Sequence, residues 1–192
     1  ERIKTILASI PFDSLIHLLH ESYLLSQHIL DKYNDIFEFS EFQNYSGLPW
    51  SIEFIERNES KWDWGRLSWF ESPPWSNELL RRYENKWNWK RLSGNRSLSW
   101  SNELIKRYED KWNWEDLSGN ESLPWSIELI ERYEDNWDYG DLSGNESLPW
   151  SIALIERYQD KWHWDSLSGN KSLPWSVELI ERYEDKWDWI MD

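Results

Sequence analysis

Apolar residues recur along this chain at helical spacing, with no stretch of period-two alternation. In the segment W-S-I-E-L-I-E-R-Y-E-D-N-W-D-Y-G-D-L-S-G-N-E-S-L-P, from Trp125 to Pro149, the residues Leu129, Ile130, Tyr133 and Trp137 stand at i, i+1, i+4 and i+8. That spacing places them on one face of a helix. Ser126 is a good N-cap and Glu128 sits in the positive first turn. Trp125, just before the cap, can pack on Ile130 as a hydrophobic staple. These signals predict a helix over about Ile127 to Asn136. Pro124 cannot continue any earlier helix and helps to fix the turn that enters this one. A second, shorter element follows, because Asp138 is again an N-cap type and Leu142 lies one turn beyond Tyr139. At about five residues it is expected to be either α or 3₁₀. Gly144 and Asn145 should close it, both being tolerant of the left-handed conformation that ends helices.

The same pattern returns at a fixed interval. Trp50, Trp75, Trp100, Trp125, Trp150 and Trp175 open successive copies without an insertion, which defines a 25-residue unit. Asp63, Asn88, Asn113 and Asp188 repeat the second cap, and His163 merely replaces it in one copy. In the same register upstream, Leu25-Ser26, Ile29-Leu30, Lys32-Tyr33, Asp35, Phe37, Phe39 and Phe42 stand where later copies carry Trp-Ser, Leu-Ile, Arg-Tyr, Asp, Trp, Trp and Leu. Residues 1–49 therefore read as degenerate N-terminal capping helices or repeats, since the end unit of a solenoid has only one neighbour. Residues 50–192 read as regular repeats, the last of them truncated. The expected fold is all-α, a short-helix α-solenoid of about seven helix-turn-helix units. Helices this short are marginal alone, so cohesion must come from stacking, and the tryptophans are expected to form the core itself.

The string W-x-W-x-x-L-S-x-N, present from Trp87 to Asn95, Trp112 to Asn120 and Trp162 to Asn170, resembles Trp-rich tandem repeats of giant-virus and bacterial proteins of unassigned function. The resemblance covers most of the chain and implies no activity. In form the unit is also similar to other short α-solenoids that alternate an α-helix with a 3₁₀ turn. It is too short for tetratricopeptide or ankyrin units, and the Trp-Asp pairs do not make a propeller without strand signals.

Composition sharpens this picture. Of the 192 residues, 18 are Trp and none is Cys, so disulfides, Cys-ligated zinc, iron–sulfur clusters and thiol nucleophiles are excluded together. A net charge of −15 opposes a phosphate backbone, and nucleic-acid binding is not expected. No apolar run reaches the roughly 20 residues of a membrane span. The chain reads as soluble, with the cytoplasm favoured, and as part of a longer polypeptide joined to another domain.

Candidate chemistry is sparse. Glu131, Glu134 and Asp135 have counterparts in most copies, which fits a solvated face better than an acid–base pair placed once. His17, His20 and Glu21 have ligand-like spacing, yet without Cys or an H-E-x-x-H string they read as surface residues of the cap. No catalytic residue, metal site or cofactor is expected. Where one copy breaks the rule, function is most visible. Between Gly65 and Arg96 seven basic residues face three acidic ones, and Trp69 and Phe70 replace the Gly and Asn of other copies. Aromatics beside Arg are the composition of a contact hot spot, so Arg66, Trp69, Phe70, Arg81, Lys90, Arg91 and Arg96 are the candidate partner-binding residues. The sequence thus points to a non-catalytic scaffold or sensor that binds a protein. The alternative is a small-molecule or glycan receptor that uses a ladder of exposed Trp rings.

Overall fold

The computed structural model describes residues 50–188 without a break, together with Leu48 and the isolated positions Thr5, Ile6, Ser9, Ile10 and Ser14. The expected cap at 1–49, with its histidines, lies almost wholly outside the described residues, as does the chain beyond Asp188. Among the described residues the protein is an all-α repeat solenoid of eleven short helices. They are α1 Ile52–Arg57, α2 Trp64–Leu67, α3 Asn77–Arg82, α4 Trp89–Ser93, α5 Asn102–Arg107, α6 Trp114–Ser118, α7 Ile127–Arg132, α8 Tyr139–Gly144, α9 Ile152–Arg157, α10 Trp164–Ser168 and α11 Val177–Arg182. The starts of alternate helices, at Ile52, Asn77, Asn102, Ile127, Ile152 and Val177, keep the period of the sequence. The chain divides into two compact units, Glu1–Trp87 and Asn88–Asp192.

Each first helix begins as its sequence dictates. The serine hydroxyl accepts the amide N–H three residues on, as Ser126 does from Leu129 at 3.2 Å. The entry turn is tight, for the Trp125 N–H reaches the Leu123 carbonyl at 2.8 Å around Pro124. The helix is shorter than predicted, ending at Arg132 instead of Asn136. Tyr133 leaves helical geometry at φ −118° and ψ 30°, and the indole N–H of Trp137 donates to the Ile130 carbonyl at 3.1 Å. A side chain thus takes an acceptor that a longer helix would give to its own backbone. The same bond recurs from Trp62 to Ile55, Trp87 to Leu80, Trp112 to Ile105 and Trp162 to Ile155.

The second helices are α-helical. Asp138 caps α8 by accepting from the Asp141 N–H at 3.0 Å. His163 does not replace that function, since its side chain makes no cap bond. Nor is the closing turn left-handed. Gly94, Gly119 and Gly169 lie near φ −85° with ψ close to zero, and Asn145 is extended at φ −75°, ψ 112°. Asn is used there for its side chain. In the second unit the buried Asn120, Asn145 and Asn170 send Nδ2 to the carbonyls of Ser93, Ser118 and Ser143 at 2.8–2.9 Å. Those serines in turn accept, through Oγ, the N–H of Asn113, Asp138 and His163 at 2.9–3.0 Å. Successive repeats of this unit are therefore sewn together by buried polar bonds, and α4, α6, α8 and α10 pack one on the next. A buried amide and carbonyl left without such partners would cost about 1–3 kcal/mol each.

Indoles fill the space between. Trp62, Trp75, Trp87, Trp112, Trp137, Trp162 and Trp187 are buried, with an apolar pair from most first helices, such as Leu104 with Ile105 and Leu129 with Ile130. Trp137 has Trp125 at 5.0 Å, Trp114 at 4.9 Å and Tyr133 at 6.2 Å between ring centroids. These edge-on and tilted contacts are the arrangements that ring quadrupoles favour.

Candidate interaction surface

Above the core the surface is built as an ionic ladder. In the second unit Arg157 pairs with Glu131 and Arg182 with Glu156, and Lys161 Nζ reaches Glu134 at 2.7 Å. In the first, Arg82 bridges Glu56 at 3.0 Å and Glu78 at 2.8 Å, while Lys86 pairs with Glu59. The lysines also cover rings. Lys86, Lys111, Lys161 and Lys186 place Nζ 5.0–5.3 Å from the centroids of Trp64, Trp89, Tyr139 and Trp164. An ammonium over an indole face is worth about 0.5–1 kcal/mol at an exposed site.

Hydrogen bonds from their own backbone amides, then from the capping serines, hold the Glu53, Glu103 and Glu128 carboxyls below the usual carboxylate range. Glu134 is lowered by its bond to Lys161. Burial raises Asp116, with Glu115 adding to the shift and Lys90 opposing it. Burial, then Asp138, Glu115 and Asp116, raises Asp141. The Tyr139 hydroxyl is also pushed up, chiefly by burial.

The predicted partner-binding residues fall on both units and are described within each. In the first unit Trp69 follows α2 and is 58% exposed, the most exposed tryptophan among the described residues. Its N–H bonds the Arg66 carbonyl at 2.9 Å, so Arg66 and Trp69 sit one turn apart. The equivalent place in the second unit is open, since at Gly144 an added Cβ would meet no atom within 4 Å. Phe70 is half-buried, and its carbonyl accepts the Trp75 indole N–H at 2.9 Å, as the Asn95 carbonyl does for Trp100. Arg66 lies 3.6 Å from Asp63. Arg81 is exposed with no ion pair among the described residues, and lines an open groove with Arg82, Tyr83 and Glu84. In the second unit Lys90 and Arg91 are exposed and Arg96 pairs with Glu121 at 3.1 Å. Much of the local positive charge, Arg82, Lys86 and Arg96 in particular, is thus neutralised within the fold.

Among the described residues no group of His, Asp and Glu side chains is placed to hold a metal ion, and no helix is long and apolar enough to cross a membrane. The Asn–Ser seam and the lysine covers were missed in the sequence. The signals are columns that recur in most copies, Asn95, Asn120, Asn145 and Asn170 for the seam and Lys86, Lys111, Lys161 and Lys186 for the covers. No protein-family model, curated protein or solved structure matches the chain.

Proposed function

We propose that the chain is a non-catalytic repeat scaffold or sensor module whose outer surface binds a protein partner, with Trp69 as an anchor. The carrying observation is the contrast in how tryptophan is used. Trp62, Trp75 and Trp87 of the same unit are buried, with their indole N–H groups on backbone carbonyls, whereas Trp69 stands in solvent beside Arg66. Trp and Arg are the residues most enriched where binding energy concentrates. A scaffold also fits a surface whose polar groups recur at fixed spacing and do not converge on one point. The rival ladder of stacking rings has less support, since Trp64, Trp89 and Trp164 carry lysines over their faces.

The test is affinity capture with the wild-type protein as bait, followed by calorimetric titration of the captured protein. Trp69→Gly should leave the thermal melt unchanged and weaken binding about thirtyfold, the loss of a hot spot of about 2 kcal/mol. Equal affinity for the two proteins would rule Trp69 out as the anchor.

A further inference from the structure

One junction of the second unit lacks the lysine that its neighbours share. At this place in the repeats stand Lys86, Lys111, Lys161 and Lys186, but also Asn136. The backbone is the same in all. The N–H of Asn136 bonds the Tyr133 carbonyl at 2.8 Å, as Lys161 does to Tyr158 at 2.8 Å and Lys186 to Tyr183 at 2.9 Å. The aromatic frame is also kept. Trp114 lies 4.8 Å from Tyr133 at 41°, against 4.7 Å and 42° for Trp89 and Tyr108, and 4.8 Å and 43° for Trp164 and Tyr183. Only the ammonium is missing. Glu109, the counterpart of Glu134, therefore makes no salt bridge among the described residues, and accepts the Tyr133 hydroxyl at 3.2 Å. Glu109 and Asn136 are exposed, and Trp114 is half-buried.

We infer that Trp114, Tyr133 and Glu109 form a slot for the ammonium group of a lysine supplied by a binding partner. The fold itself demonstrates the fit, because the Lys161 ammonium lies 5.1 Å from the Tyr139 ring and 2.7 Å from Glu134 in the matching place. The ring face supplies cation–π attraction and the carboxylate a charge-assisted acceptor. Lys106 stands where Glu131 and Glu156 stand in other copies, so Arg132 also lacks the carboxylate that pairs Arg157 and Arg182. These two exposed cations favour a single lysine over a polybasic run. The slot gives a chemistry to one contact of the proposed scaffold but is distinct from Trp69, and it can be tested with no partner in hand.

The probe is the peptide acetyl-Gly-Lys-Gly-amide, followed through the Trp114 indole N–H resonance by NMR. The expected result is a saturable shift of that signal, absent when norleucine replaces lysine in the peptide. Asn136→Lys, which fills the slot from within, should weaken binding at least tenfold, and Glu109→Gln should do so without adding a side chain. Lys86→Asn should open a second slot, so that the Trp64 indole signal begins to move. An unmoved Trp114 signal in the wild type, or undiminished binding by folded Asn136→Lys and Glu109→Gln proteins, would overturn the inference. Loss of the slot with the Trp69→Gly effect intact would leave the scaffold reading standing.

Discussion

Two seams join successive repeats of the second unit, and they follow different rules. The inner seam runs through Asn120, Asn145 and Asn170 and the serines they reach, all buried. It holds one residue type per position. The outer seam, of Arg157 with Glu131 and Lys161 with Glu134, is half-exposed and changes freely, to Lys106 in one copy and Asn136 in another. The contrast follows from solvation. An orphaned polar group in the interior loses its water and gets nothing back, whereas an exposed ion pair is worth about 0–1 kcal/mol because water replaces either partner. Cohesion is therefore concentrated inside, and the outer positions are free to vary.

The largest effect should come from cutting the inner seam. Asn145→Ala removes the bond to the Ser118 carbonyl and the one Asn145 Oδ1 accepts from the Ser147 N–H. It should cost about 2–3 kcal/mol in urea denaturation. A loss no greater than that of an outer-seam change would erase the distinction. Smaller and of opposite sign, Asn136→Lys should stabilise by about 0.5 kcal/mol through a new pair with Glu109 and a cover for Trp114, and the gain should shrink in high salt.

The smallest effect concerns protons. Asp116 is raised by burial, so its folded form holds a proton more tightly than the unfolded chain. Its charge thus opposes folding at neutral pH, and that penalty fades as pH falls through the raised folded value. Asp116→Asn should raise the melting temperature slightly at pH 7 and leave it unchanged near pH 3, where both forms are neutral at this position. Glu134 works the other way, since its lowered value gives stability that is present above the unfolded value of about 4.3 and lost as pH falls through the folded one.

The burial of Leu129, Ile130, Tyr133 and Trp137 was legible in their spacing, although only Leu129 and Ile130 lie on the helix itself. The end of that helix was not, because the acceptor is claimed by an indole seven residues away. By residue type and position Asn145 suits a turn, but it is a cross-repeat donor whose partner lies 27 residues back. The exposure of Trp69 follows from its place in a turn where Gly stands in other copies, but the half-burial of Phe70 does not, since it depends on what packs beside it. The slot at Trp114 became readable only through the lysines that occupy its counterparts.

The inner seam also governs how such a chain can lengthen or shorten. Asn145 meets Ser118 only because a fixed length of chain separates them, so a single inserted residue between them would carry the amide past its acceptor and turn the following hydrophobic face outward. Removing a whole copy brings an equivalent asparagine to an equivalent serine. The array is thus quantised, open to deletion or duplication in whole periods and closed to anything finer.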